Sequence, residues 1–546
     1  MAHSSPRGLL ADQLLQLDIP SNARLMSVTK TEDEGGWTTW KVTYAIKSPA
    51  HSRETNDASG QSENAINTTL QPDVLDVVAP LPAEFSRLSQ EPAFSRLFPL
   101  RCDVKTYAWG RLGHMSLVGR LKQAGDSDFD IDEETPYSEL WMGTHPSGPS
   151  MVMLETPWRT TTPLFDWLKL NPSLRGSHPA TDGADRRKPM AQIESYGLPF
   201  LFKILSVRTA LSIQAHPDKT LARRLHSARP DLYKDDNHKP EMAIAISKFE
   251  ALCSFQKAYS VLENLRSCPE LGAIVGEDSI HGLAAAAESP ADDEAHKPAV
   301  KAALCKLFTV LMNADTQLVE KQCESLAMRI NSTNPMLRTP VDELAARIYE
   351  QYPKDIGVFC VYLFNYLELQ PGEALYLGAN EPHAYLSGEC AECMATSDNV
   401  VRAGCTPKFK DVRTLVTMLT YSDGPPHMVK PIELGANSLR YSDFPSTEFM
   451  IDRCALSDGA VGELPSAPGV SILVIVHGEG TMEEMLENTS RAAGLTHTIS
   501  LGNVFMVCPG TFLRLQARGG DLLAFRACAK YEQEGADDLT LRVASK

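Results

Sequence analysis

The chain has 546 residues, 43% of them hydrophobic and 22% charged, and 52 basic against 69 acidic side chains leave a net charge of −17. At ~100–200 residues per domain that length suggests three or four domains of ordinary globular composition. The acidic balance excludes a general nucleic-acid or anionic-membrane binder, which needs clustered Lys and Arg, but leaves room for a small phosphorylated ligand held by a few local cations.

No apolar run reaches the ~18–20 residues of a membrane-spanning helix; Leu198–Gln214 is interrupted by Lys203 and Arg208. The first twenty residues lack the basic start and continuous apolar core of a secretion signal. The 12 cysteines therefore read as free, mostly buried thiols in a reducing compartment, and a cytoplasmic protein is expected.

Residues 1–95 differ from the rest. Trp37–Ile46 has the β-branched and aromatic content of a strand, whereas Ser48–Gln71 is polar and reads as loop or disorder. No chemistry attaches to this N-terminal extension. From Phe98 to about Phe255 the pattern is strand-like, with turns at Trp109-Gly110 and Pro146–Pro149 and a short helix after Pro217, where Leu221 and Leu225 repeat at helical spacing. From Gln256 to about Gln351 the period becomes helical: Ala299, Ala303, Leu304, Leu307, Val310 and Leu311 form one stripe and Val341–Tyr349 another. Gly276–Lys297, acidic and rich in alanine, reads as a loop between helices. Strand character returns at Val358–Leu369 and persists to the C-terminus, with turns at Pro371-Gly372, Gly478–Gly480 and Pro509-Gly510. Here Gly372–His383 and Gly502–Leu513 align without gaps, as expected of two β-sandwich or barrel units of one design. His383 then aligns with Leu513, a polar site in one copy and a core residue in the other.

Three stretches carry chemistry. In LSIQAHPDK (Leu211–Lys219), read as a strand, Ser212, Gln214 and His216 share one face, and side chains at i and i+2 can grip one metal ion. In NHKPEMAIAI (Asn237–Ile246), Glu241 faces away from Met242, Ile244 and Ile246, with small Ala243 and Ala245 as neighbours. In NEPHAYL (Asn380–Leu386), Pro382 turns the chain before His383. Gln214, His216, Glu241 and His383 supply two imidazole nitrogens and two oxygens, a set that suits an open catalytic Zn²⁺ and leaves it Lewis-acidic. Their scatter along the chain equally allows hydrogen-bonded structural histidines. Arg402, Lys408, Lys410 and Arg413 form a cationic cluster after the third stretch, and Lys203 precedes the first; beside a metal, they suggest an anionic small ligand. Cys390-Ala-Glu-Cys393 has neither a second CxxC nor a thioredoxin-like βαβ pattern and reads as buried thiols. Gly478-Glu-Gly480 is a hairpin turn, since no helix carrying Lys-Ser/Thr follows.

With these residues the sequence resembles the type I mannose-6-phosphate isomerases (phosphomannose isomerases) of the cupin superfamily. The resemblance runs from about Leu97 to the C-terminus and is most specific in CDVKTYAWG (Cys102–Gly110), YSELWMGTHPSGP (Tyr137–Pro149), LPFLFKILSVRTALSIQAHPDK (Leu198–Lys219), Tyr233–Phe255 and Leu377–Tyr421. It implies a mainly β fold with inserted α: a catalytic cupin (jelly-roll) barrel from residues 96–255 and 355–422, an inserted helical domain at 256–354, and a metal-free cupin barrel at 423–546. It further implies one Zn²⁺ per chain on Gln214, His216, Glu241 and His383. Lys203, Ser212 and Lys408 match its phosphate-binding positions, with Tyr385 and Glu139 lining the pocket. Arg402 matches its catalytic Arg, and Lys239, Glu392, Asp398 and, less centrally, His238 complete the catalytic set.

The implied reaction interconverts D-mannose 6-phosphate and D-fructose 6-phosphate through a cis-enediol(ate), feeding GDP-mannose synthesis and glycosylation, in a family whose members are usually monomers, with no nucleic-acid or membrane partner. The sequence departs from the family pattern in its extension, at Ser254, where Gly is common, and at Cys405, where Leu is usual. A non-catalytic sugar-phosphate-binding cupin should lack the charged pocket residues, and a cupin metal oxygenase should carry more imidazole ligands and redox iron.

Overall fold

The computed structural model describes residues 95–153, 161–171, 197–287, 297–486 and 495–530, together with the backbone of three strands nearer the N-terminus. The chain divides into two units, one comprising residues 1–94 and 155–159 and the other the remainder. In the first, Ala23–Glu32, Thr38–Ile46 and Val74–Ala79 form an antiparallel sheet in that order. The strand expected at Trp37–Ile46 is its middle member; Ser48–Gln71 lies outside the described residues.

In the second unit an eleven-stranded sheet is organised around one long strand, His383–Ala395. Its first half pairs with Ile213–Ala215 and Phe249–Phe255, and its second half with Phe200–Val207 and Glu241–Ala245. Gly388 sits at the changeover with φ +108, and a Cβ there would lie 2.4 Å from the Lys248 carbonyl oxygen, so the strand can change partners only at a glycine.

Alternation then sorts side chains onto two faces. Phe202, Ile204, Met242, Ile244, Ala391 and Cys393 pack against Ile472, Val474 and Phe525 of a second, nine-stranded sheet. Leu205, Ala243, Ala245 and Cys390 face the other way, onto Phe249, Ala251, Leu375 and Tyr385, and build a second apolar floor. Ile213, Leu252, Ala384, Leu386 and Val401 pack on the helical region through Leu304, Leu307, Phe308 and Ile348. Each such fully buried Leu, Ile or Phe contributes roughly 1.5–3 kcal/mol of transfer free energy, so the sheet that carries the polar groups is fixed from both sides.

The helical stripes fall on Lys297–Met312 and Pro340–Gln351, and the helix after Pro217 on Lys219–Ala228. Four local expectations are corrected. Within the segment read as a loop, Glu277–Ala287 is an α-helix: its alanines are strong helix formers, and Glu277 and Asp278 in the first turn suit the positive end of the helix dipole. The start of the strand expected at Val358–Leu369 is the helical turn Gly357–Cys360, drawn into the helical core by buried Val358 and Phe359, and the strand begins at Phe364. Two further helices, Leu117–Gly125 and Leu164–Leu170, lie where only strands were expected.

The fold is strand-rich with helices inserted, but the described hydrogen bonding closes no sheet into a barrel: the large sheet ends at Asp103–Lys105 and Met428–Val429. Sheet membership also crosses the expected domain limits, since Leu97–Arg101 pairs with Val504–Val507.

The two similar segments occupy matching places: Ala374–Leu377 pairs with Glu241–Ala245, and Val504–Val507 pairs with Ser471–His477. Leu522–Cys528 lies between Met450–Leu456 and Ser471–His477, as the second half of His383–Ala395 lies between Phe200–Val207 and Glu241–Ala245. The cross-strand ion pair Lys203–Glu392 has a counterpart of inverted sign in Asp452–Arg526. Leu513, aligned with His383, is fully buried among Leu464, Met482 and Leu515.

Candidate metal centre and substrate pocket

His216, Glu241 and His383 converge from three segments, each buried, with one potential ligand atom apiece and all three atoms within 4.8 Å of one another. The ring tautomers follow from their partners. His216 Nδ1 lies 2.7 Å from the Asn399 carbonyl oxygen and His383 Nδ1 lies 2.9 Å from that of Glu381, so each Nδ1–H donates. The Nε2 atoms then face Glu241, that of His216 at 3.3 Å from Oε1 and that of His383 at 3.4 Å from Oε2.

Burial, aided by the Lys239 charge, pushes the His216 imidazole down to about 4, so no proton sits on its Nε2 at neutral pH. Glu241 is ionised as well: although burial opposes it, the Lys239 ammonium holds its carboxyl well below the usual range. Acceptors facing acceptors in a dry site repel unless a cation lies between them. Both Nε2 atoms also lack a hydrogen-bond donor or acceptor partner. The residues therefore fit a divalent metal, and the His₂-carboxylate set is one that zinc accepts.

Gln214 stands beside this group, directly across from His383 on one side and Arg402 on the other. Cross-strand partners share a face, so Arg402, Gln214 and His383 form one row. Ser212 Oγ donates to Gln214 Oε1 at 3.4 Å. Half-buried Arg402 has no carboxylate partner among the described residues, and burial alone acts on its guanidinium, lowering its pKa.

A second row runs along the floor. Lys203 Nζ bonds Glu392 Oε2 at 2.9 Å and lies 4.0 Å from Glu139 Oε2, under the face of Trp141. Burial and the neighbouring Glu241 and Glu139 raise the Glu392 carboxyl above its ordinary value against the pull of Lys203. Burial opposes the Lys203 ammonium, yet Glu139 and Glu392 raise its pKa. Burial, then Glu392 and Glu241, likewise push the Tyr385 phenol well up. Lys239 Nζ bonds Glu241 Oε1 at 3.0 Å.

Two expected residues stand differently. His238, next to Lys239 in the chain, turns its Nε2 to Glu448 Oε1 at 2.5 Å. Asp398 pairs with His145 Nε2 at 3.4 Å, a hydrogen bond that, against burial, holds its carboxyl below the usual range. Lys408 is exposed on the loop after Thr406, whose hydroxyl accepts its amide N–H at 3.1 Å.

The sequence reading missed His145, buried edge-on against Trp141, although it lies in the quoted YSELWMGTHPSGP motif. It also missed Asp235. That carboxylate accepts the Ser397 hydroxyl and the amides of Asn237 and Asp398, and so holds the loop that offers the Asn399 carbonyl to His216.

Fold and site together define a strand-rich protein with inserted helices and a buried His–Glu–His group able to hold a divalent metal beside an acidic and basic pocket. Residues 97–258 match the catalytic domain of type I phosphomannose isomerase, and residues 274–364 match its helical insertion domain. The chain is 43% identical over 435 residues to mannose-6-phosphate isomerase 1 of Arabidopsis thaliana, covering 79% of this chain and 94% of that protein. It is 38% identical to mannose-6-phosphate isomerase of Bos taurus, covering 80% and 99%. Its fold is similar to the apo crystal structure of mannose 6-phosphate isomerase from Salmonella typhimurium, with TM-score 0.62, 25% identity and coverage of 80% and 100%. A crystal structure of a mannose 6-phosphate isomerase bound with zinc and yttrium gives TM-score 0.61, with the same identity and coverage. The chain belongs to the type I phosphomannose isomerase family, and it is an isomerase of mannose metabolism. No helix among the described residues is long and apolar enough to cross a membrane.

Proposed function

We propose that the chain interconverts D-mannose 6-phosphate and D-fructose 6-phosphate with one Zn²⁺ held by Gln214, His216, Glu241 and His383. The observation that carries this is the buried meeting of two imidazole Nε2 atoms on one ionised carboxylate. When bound, zinc supplies Lewis-acid stabilisation of negative charge in the pocket.

The chain's own residues do the rest. Moving a proton between C1 and C2 through a cis-enediolate requires a base, and Glu392 suits it: a buried carboxylate with a raised pKa is a stronger base than Asp398, whose carboxyl is held low. Lys203, already flanked by Glu392 and Glu139, keeps that base charged and in place rather than binding phosphate as the family resemblance implied. Arg402, charged and without an acidic partner among the described residues, stabilises the enediolate. Ser212 and Lys408 anchor the phosphate, which fixes the reacting carbons over Glu392. Tyr385 and Glu139 line the pocket, and Lys239 holds Glu241 ionised.

We extend the reading to a monomer in the cytoplasm whose product supports GDP-mannose synthesis and glycosylation; the 12 cysteines, all free thiols, suit a reducing compartment. We also keep the partition into a catalytic cupin unit, a helical insertion and a metal-free cupin unit, supported by the matching strand order around the two similar segments.

The test is a coupled assay on mannose 6-phosphate with the purified chain. Chelation should abolish turnover and added zinc restore it. His383→Ala should keep the far-UV circular dichroism of the parent while losing both zinc and activity; stoichiometric zinc in that variant would contradict the ligand set.

A further inference from the structure

The turn that ends the helical region reaches into two loops of the sheet. Gln351 Oε1 accepts the Ala210 amide N–H at 2.9 Å, and the Tyr352 hydroxyl donates to the Ala210 carbonyl at 2.6 Å. Three residues later, Asp355 Oδ1 accepts the amides of Cys405 at 2.6 Å and Gly357 at 2.7 Å, and its Oδ2 accepts that of Thr406 at 3.4 Å. Ala210 lies two residues before Ser212, and Thr406 lies two before Lys408.

The backbones touch as well. A Cβ on Gly404 would lie 2.6 Å from Gly357 Cα, and one on Gly357 would lie 2.7 Å from the Cys405 nitrogen, so neither glycine can gain a side chain without displacing the other strand of contact. Cys405 itself sits at φ +53, a conformation costly for a residue with a Cβ, and Asp355 Oδ1, which accepts the amides of both Cys405 and Gly357, holds it there.

We propose that this turn frames the phosphate subsite, with Asp355 and Tyr352 as positioning residues that set the spacing of the Ser212 and Lys408 loops. The inference rests on the reading of Ser212 and Lys408 as phosphate anchors. It gives the helical region a part in substrate binding: two loops from separate parts of the sheet are referred to one rigid turn, so the anion meets donors already in place.

The experiment uses zinc-loaded enzyme and two readouts, KM for mannose 6-phosphate and Ki for inorganic phosphate as competitor, with zinc content measured alongside. Asp355→Ala should raise KM and Ki in parallel by about tenfold at unchanged zinc content. Asp355→Asn, whose amide oxygen still accepts backbone N–H groups, should recover most of the loss. Tyr352→Phe, which removes one hydroxyl and should fold, should raise both constants about threefold.

A merely structural role would lower the melting temperature and leave Ki alone. If Lys408→Ala weakens phosphate binding while folded Asp355→Ala and Tyr352→Phe keep Ki within about twofold of the parent, the frame is wrong though the anchors stand. If Lys408→Ala and Ser212→Ala both leave Ki unchanged, the anchor reading fails and takes this inference with it.

Discussion

Asp218 and Asn380 are joined by two hydrogen bonds, the Asp218 amide donating to Asn380 Oδ1 at 3.2 Å and Asn380 Nδ2 donating to Asp218 Oδ2 at 3.0 Å. The Asn380 amide also donates to the His216 carbonyl at 2.7 Å. One residue pair thus fastens the loop that follows His216 to the turn that precedes His383. Asp218 Oδ1 at the same time caps the helix Lys219–Ala228 by accepting the amides of Thr220 and Leu221, both at 2.9 Å.

Asp218→Ala is therefore expected to act twice. Loss of the cap should cost about 1–2 kcal/mol in urea unfolding, and loosening of the two histidine segments should weaken zinc binding roughly 10–100-fold in chelator competition. Asp218→Asn, whose single amide oxygen can still cap the helix but whose NH2 then faces the Asn380 NH2, should recover most of the stability and little of the zinc affinity. Equal zinc affinity in Asp218→Ala would mean the two ligand loops hold their spacing without this link.

Arg402→Ala should lower kcat about 10²–10³-fold while KM changes little, because a cation with no acidic partner among the described residues matters most when charge develops on the sugar. Steady-state kinetics on mannose 6-phosphate separates the cases: a rise in KM at constant kcat would assign Arg402 to ground-state binding of the phosphate.

Glu448 provides a pH prediction. Burial opposes its ionisation, but the hydrogen bond and charge of His238, with Ser446 and Lys219, pull its carboxyl down to about 2. The folded value lies below the unfolded one, so its contribution is fully present above about pH 4.5 and is lost as pH falls toward 2. Glu448→Gln should remove on the order of 2 kcal/mol at pH 6 and flatten the fall in stability between pH 5 and 2. Unfolding curves across that range check it; an acid limb as steep as the parent's would place the titrating groups elsewhere.

Much of the site is legible in the sequence because its chemistry is local. Gln214 and His216 are two residues apart, Lys239 and Glu241 likewise, and small Ala243 and Ala245 advertise space around the carboxylate. The groups that fix the rings are not legible: the acceptors for both Nδ1 atoms are backbone carbonyls, of Asn399 and Glu381, which any residue type carries. His238 shows the converse limit. Its neighbours made it a pocket candidate, yet its partner Glu448 lies 210 residues away, beyond the reach of any local pattern.

By itself, the sequence determined which residue types can bind metal, where the period changes from strand to helix, and which motifs are those of the phosphomannose isomerase family, since these depend on neighbours along the chain. The tertiary structure decided the rest. It commits Lys203 to Glu392 and Glu139, leaves Arg402 without an acidic partner among the described residues, makes Glu277–Ala287 a helix, and draws Val358 and Phe359 into the helical core. The reason is physical: ionisation, pairing and helix-versus-strand choice at buried positions are set by what packs across a sheet or a core, and those partners are supplied by segments remote in the chain.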